Sequence, residues 1–96
     1  MPLCVVLLTY RVPLTDIDAG MRAHMAWLDK GYAEGVFIAS GRQVPRIGGV
    51  VISRGHRAEV EALVASDPFV ASGKAEAQVI EFNASQAADG FGELLA

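Results

Sequence analysis

The chain has 96 residues, of which 52% are apolar and 20% are charged, and its formal net charge at neutral pH is −3. This length fits one domain, and this composition is typical of ordered globular proteins rather than disordered ones. Lysine and arginine form no cluster, so the charge pattern disfavours nucleic acids and anionic membranes as partners and leaves small molecules or other proteins.

The first predicted element is a strand from Leu3 to Tyr10, because this run is aliphatic and β-branched and ends just before Pro13. The run is too short to cross a bilayer and lacks the basic start and cleavage site of a secretory signal. The single cysteine, Cys4, lies within it and has no second cysteine to pair with, which suits a reducing compartment. We therefore expect a cytoplasmic location.

The second predicted element is a helix from Asp16 to Lys30, where apolar residues recur at helical spacing. Thr15 and Asp18 resemble a capping box at its start, and Gly31 is a plausible stop. His24 falls on the apolar stripe of this helix. An imidazole carried into a fold needs a polar partner, so His24 is the first candidate for chemistry.

The remaining elements complete a repeated pattern of strands and helices. They are predicted as a strand from Val36 to Ser40, a strand from Gly49 to Ser53, a helix from Arg57 to Ala65, a short turn ending at Gly73, and a strand from Lys74 to Phe82. The two middle strands form a predicted hairpin. The order βαββαβ is that of the ferredoxin-like α+β fold, a four-stranded antiparallel sheet with both helices on one face. The domain is assigned to residues 1–83, and residues 84–96 form a small and polar tail.

The strands also predict the oligomeric state. The first three are apolar at consecutive positions, although an antiparallel sheet with one face in water normally alternates apolar and polar residues. No residues remain to form another layer over the second face. The expected cover is the same sheet from a second subunit, so we predict a homodimer.

Several segments together resemble the YCII-related proteins. They are the helix with His24 and Met25-Ala-Trp-Leu28, the strand Gly35-Val-Phe-Ile-Ala-Ser-Gly41, the strand Gly48-Gly-Val-Val-Ile52 and the turn Ser66-Asp-Pro-Phe-Val70. The resemblance extends from Leu3 to Phe82. It implies a dimeric ferredoxin-like α+β barrel with an active site around a His-Asp pair, here His24 and Asp67. One branch of the family removes chloride from a chlorinated hydroxylated aromatic compound, so the scaffold can host enzymology.

The chemistry of the pair follows from the residue types. If Asp67 accepts a hydrogen bond from one ring nitrogen of His24, it fixes the tautomer and leaves the other nitrogen to exchange a proton with a substrate. The alternative for His24 is a core histidine bonded to a backbone carbonyl. The alternative for Asp67 is a helix N-cap before Pro68, a role compatible with catalysis because a cap uses one carboxylate oxygen.

Three further residues are predicted to contact a substrate. Ser40 offers a binding hydroxyl, Arg42 offers a clamp for a carboxylate or phenolate, and Phe69 offers an aromatic wall. Their structural alternatives are a hydroxyl that closes a strand, a solvated hairpin arginine and hydrophobic packing. For Trp27 the two interpretations are hydrophobic packing and an aromatic wall that faces the ligand.

No cofactor is indicated by the sequence. His24, His56 and Cys4 lie on different elements without ligand spacing, so no metal site is predicted, and no glycine-rich loop suggests a nucleotide. Two functions stay open. One is a small cofactor-independent lyase or isomerase, or a dehydrochlorinase-like enzyme, acting on a small hydroxylated aromatic or dienoic acid. The other is a homodimer that binds a small molecule without turning it over.

Overall fold

Four strands and three α-helices form the chain, and its computed structural model describes residues 1–96. The elements in chain order are β1 (Pro2–Tyr10), α1 (Leu14–Ala33), β2 (Phe37–Arg42), β3 (Gly48–Arg54), α2 (Arg57–Val64), α3 (Pro68–Ala71), β4 (Ala75–Asn83) and a 3-10 helix (Gly92–Leu95). The α+β class and the βαββαβ order are confirmed, with α3 as a short addition before β4. None of the helices is long and apolar enough to cross a membrane.

The sheet has the strand order β2-β3-β1-β4, and every neighbouring pair is antiparallel. β1 lies between β3 and β4, in the centre of the sheet. The predicted hairpin of β2 and β3 is present, with one irregularity in register between Phe37 and Ala39. β2 is an edge strand, and its last residue, Arg42, lies opposite Gly49 near the start of β3.

The two faces of the sheet have different surroundings. On β1, Cys4, Val6 and Leu8 point towards the helices and are at most 2% exposed. They join a core with Leu28 of α1 and Val60 of α2. Each such aliphatic side chain contributes about 1.5–3 kcal/mol by leaving water. Burial also raises the pKa of the Cys4 thiol, which therefore serves as core packing.

The opposite face, which we call the open face, is also apolar. The β-sheet register places seven large apolar side chains there, and all except Leu3 keep some exposure to solvent: Leu3, Val5, Leu7, Val50, Ile52, Ile80 and Phe82. Ile80 and Phe82 are 45% and 44% exposed. The single chain thus leaves this surface in contact with water.

The start of α1 differs from the prediction. The helix begins at Leu14, with Pro13 as the N-cap and no side-chain cap hydrogen bond, so the predicted capping box of Thr15 and Asp18 is wrong. Thr15 already lies inside the first turn. Asp18 instead accepts a hydrogen bond from Arg46 Nη2 at 2.6 Å, and this bond lowers the pKa of its carboxyl.

The predicted stop at Gly31 is also wrong. α1 continues to Ala33, and the left-handed turn that follows it is at Gly35, with φ +74°. Gly31 is buried in the last turns of the helix, where a Cβ would overlap the ring of Phe37 at the start of β2. The missing side chain therefore lets α1 approach β2 closely.

The segment after β4 returns to the sheet. Its 3-10 helix carries Glu93, whose Oε1 accepts a hydrogen bond from Arg54 Nη2 at 3.2 Å. Arg54 also donates to the backbone carbonyl of Gly35 at 3.0 Å. The tail is thus attached to the end of β3.

Candidate active site

His24 and Asp67 are 43 positions apart in the sequence and meet in the structure, with 2.8 Å between Nδ1 and Oδ1. Their side chains are 12% and 0% exposed. A carboxylate oxygen can only accept a hydrogen bond. Nδ1 of His24 therefore carries the proton and donates the hydrogen bond to Asp67. Nε2 has no hydrogen-bond partner and is not among the buried unpaired atoms, so it retains access to solvent.

The local sequence explains how Asp67 reaches this position. α2 ends at Val64, and Asp67 is the N-cap of α3 with Pro68 at the first helical position. Its Oδ1 also accepts from the backbone N–H of Phe69 at 3.2 Å. Capping and the contact with His24 therefore use the same carboxylate oxygen. The second oxygen, Oδ2, is buried and has no partner.

The His24 ring is held between two aromatic side chains. It stacks on Phe69 with ring centroids 4.6 Å apart and on Trp27 with centroids 5.9 Å apart. The indole N–H of Trp27 donates to Ser66 Oγ at 3.0 Å, which fixes this side chain next to the Asp67 turn. The packing restricts the imidazole to one orientation.

Phe69 departs from its predicted role. It is 1% exposed and packs with Ile17 and Ala75, and it does not line the cavity beside His24. The predicted contact between Phe69 and a substrate is therefore corrected. The aromatic residue after Pro68 supports the His24 ring from the interior.

A cavity of about 440 Å³ lies between α1 and the sheet, and His24 is part of its wall. The helix supplies four lining residues: Met21, His24, Met25 and Leu28. The sheet supplies the other eight: Leu8, Tyr10, Ser40, Gly41, Arg42, Gly49, Val50 and Val51. This volume is within the range of small-molecule sites, about 300–1,000 Å³.

Ser40 and Arg42, both predicted from the sequence, lie in the cavity wall on β2. Ser40 Oγ is 2.6 Å from the hydroxyl of Tyr32 on α1. Sequence reasoning missed Tyr32 as a site residue. The available signal was its helical spacing from Leu28, which indicated a core position. Tyr10 was missed in the same way, because it ends an apolar strand.

The comparisons with known proteins agree with this fold. A family model for the YCII-related domain matches residues 3–83. The chain belongs to the YCII-related family. The predicted resemblance is thus confirmed, over almost the same residues. No curated protein matches the sequence.

Among solved structures, this YCII-related chain is similar to 5-chloro-2-hydroxyhydroquinone dehydrochlorinase (TftG) from Burkholderia phenoliruptrix AC1100, in its complex with 2,5-dihydroxybenzoquinone. The TM-score is 0.70 at 20% sequence identity, and the match covers 88% of this chain and 95% of the other. The likeness establishes a shared ferredoxin-like fold.

The arrangement of this YCII-related site suits proton transfer. It combines one imidazole, whose second nitrogen is unoccupied, with hydroxyl groups and one guanidinium in an otherwise apolar cavity. No group of three or more His, Cys, Asp or Glu side chains is placed to hold a metal ion.

Proposed function

We propose that this YCII-related protein is a small cofactor-independent lyase or isomerase that acts on a hydroxylated aromatic or dienoic acid. The observation that supports the proposal is the His24 ring, held by Asp67 through Nδ1 and left unpaired at Nε2, in the wall of a cavity. The similar fold of a dehydrochlorinase that is complexed with a small hydroxylated ring also supports it.

In this proposal, His24 acts as the general base. An aryl chloride such as 5-chloro-2-hydroxyhydroquinone first takes its ketone form, in which the proton of the hydroxyl ortho to chlorine has moved to the carbon that bears chlorine. In the resulting HO–C=C–C–X unit, Nε2 removes the proton of the remaining hydroxyl, and that oxygen forms a carbonyl. The displaced electron pair moves through the double bond and expels X⁻, so the net change is loss of HX. For an isomerisation, the protonated ring instead returns its proton to carbon. Asp67 stabilises the imidazolium and keeps its orientation in both cases.

The experiment that tests the proposal compares His24→Asn with the wild type. Halide release from 5-chloro-2-hydroxyhydroquinone is measured by ion chromatography, and binding of 2,5-dihydroxybenzoquinone is measured by calorimetry. We expect turnover to fall by about 10² to 10⁴-fold, as for loss of a general base, with binding retained. The matched control is His56→Asn, because the His56 side chain is 66% exposed at the start of α2 and does not line the cavity.

Two results would contradict the proposed enzymatic function. One is unchanged turnover in His24→Asn, which makes the histidine a packing residue. The other is a wild-type protein that binds the quinone but releases no halide and isomerises no hydroxylated dienoic acid. That second result favours the non-catalytic binding protein.

We also propose that the open face is covered by a second copy of this chain. α1 and α2 pack on the other face, and an identical sheet presents the same apolar side chains across a two-fold axis. Light scattering at micromolar concentration should give twice the mass of the chain, and Ile80→Lys should give the single mass. Leu14→Lys is the control, since Leu14 is 41% exposed on α1. A single-chain mass for the wild type contradicts the dimer.

A further inference from the structure

The charges in the cavity wall are of one sign. Arg42 is the only residue with a permanent charge among the twelve that line the cavity, and none of them is acidic. This local charge is opposite to the net charge of the chain, which is −3. A cation at the wall of a cavity favours an anionic ligand, and because Arg42 is exposed, water and salt screen this attraction.

Arg42 is also available for a ligand. It is exposed and forms none of the ion pairs or side-chain hydrogen bonds in the structure. The nearby carboxylate of Asp18 is bound by Arg46 at 2.6 Å instead. The cross-strand neighbour of Arg42 is Gly49, which has no side chain to cover the guanidinium. The N–H groups of the Arg42 guanidinium therefore have no hydrogen-bond partner within the chain.

Ser40 lies beside Arg42 on the same face of β2. Residues two apart on a strand point the same way and are about 6.6 Å apart. The hydroxyl of Tyr32 is 2.6 Å from Ser40 Oγ. When Tyr32 donates in this bond, the Ser40 hydroxyl hydrogen is free to donate into the cavity. Tyr32 is thereby a positioning residue for Ser40.

We infer that the cavity selects a small organic anion, with Arg42 and Ser40 binding its charged oxygen group across the cavity from His24. The remaining wall is apolar, with Met21, Leu28 and similar side chains from both α1 and the sheet, so the ligand has an apolar body. The substrate class is a carboxylate, phenolate or enolate on a single ring or a short diene. This inference rests on the proposed function and names its substrate class.

The test is calorimetry with two pairs of probes that differ in charge and little in size. One pair is 2,5-dihydroxybenzoate and 2,5-dihydroxybenzamide. The other is 2,5-dihydroxybenzoquinone, whose hydroxyls are vinylogous acids, and the neutral 2,5-dimethoxybenzoquinone. We expect the wild type to bind each anion about tenfold more tightly than its neutral counterpart, as for one charge-assisted hydrogen bond. Added salt should weaken only the anions.

Substitutions test whether Arg42 and Ser40 on β2 cause the preference for anions. Arg42→Gln should weaken each anion about tenfold and leave the neutral probes unchanged, and Arg42→Lys should restore part of the loss. The control is Arg22→Gln, because Arg22 is exposed on α1, forms no ion pair and does not line the cavity. Tyr32→Phe should weaken the anions but not the neutral probes, a pattern that a general loss of packing does not give.

The inference is overturned if the wild type binds neither anion, or binds both members of each pair equally. It is also overturned if Arg42→Gln has no larger effect than Arg22→Gln. Because these are binding measurements, they are independent of the turnover comparison with His24→Asn. A protein that discriminates charge without turnover refutes the proposed function and keeps the inference.

Discussion

Gly31→Ala is expected to destabilise the protein, although the same change at an interior helical position normally stabilises it. Alanine at such a position is favoured over glycine by about 1 kcal/mol. At Gly31, however, an added Cβ would overlap the ring of Phe37, and even Cζ, the third-nearest ring carbon, would be only 2.8 Å away. The ordinary carbon–carbon separation is about 3.5–4.0 Å, so the ring must move.

Phe37 has little room to move. It is 3% exposed and packs against Trp27 and Tyr32, with ring centroids 5.0 and 5.9 Å away. Overpacking of a core usually costs about 1–3 kcal/mol, and the close overlap places this substitution near 3 kcal/mol. Subtracting the helical gain leaves a net loss of about 2 kcal/mol. For a domain of this size the melting temperature should fall by about 8–16 °C.

The assay is urea denaturation followed by far-ultraviolet circular dichroism, at one fixed protein concentration because association would shift the midpoint. Ala26→Gly is a matched reference for helix propensity, since Ala26 is exposed on the same helix. It should cost about 1 kcal/mol. A Gly31→Ala protein as stable as the wild type, or more stable, would refute the close approach of α1 to β2.

Two further predictions concern the ends of the smaller helices. Asp67→Ala should lower the free energy of unfolding by about 2 kcal/mol, because it removes the cap of α3 and leaves the Nδ1–H of His24 unpaired; an unchanged urea midpoint would count against both bonds. Glu81 accepts from the backbone N–H of Arg57, which lowers the pKa of its carboxyl. Its contribution to stability is therefore present above the ordinary glutamate value of about 4.3 and is lost as the pH falls through the lowered pKa. Glu81→Gln should flatten the acid side of the melting curve against pH, and an identical curve would contradict the bond.

The sequence was sufficient for the class and order of the elements. Around His24 the apolar residues recur at helical spacing, whereas in β1 they follow one another directly. These two patterns distinguish the helix from the strand. Helix bounds were less accurate, because they depend on particular contacts. α1 begins two residues before the predicted start at Asp16, since Pro13 already has a backbone that can precede a helix.

Other features depend on residues distant in sequence. Gly31 looked like a helix stop because its packing partner, Phe37, lies on the next strand. Phe69 directly follows the predicted Asp67-Pro68 turn, but only the folded structure shows that its ring stacks on the inner side of His24. Tyr32 shared the apolar stripe of α1, and only the position of Ser40 in the folded sheet shows why its hydroxyl matters.

The central claim is that Asp67 holds His24 through Nδ1 and leaves Nε2 free for a proton. The most direct measurement is the tautomer of the neutral His24 ring, from long-range ¹H–¹⁵N correlation spectra. The chain has two histidines, so His56→Asn assigns the signals. The structure predicts the tautomer with the proton on Nδ1, whereas a proton on Nε2 would contradict the donated bond to Asp67 and the role of His24 as the base.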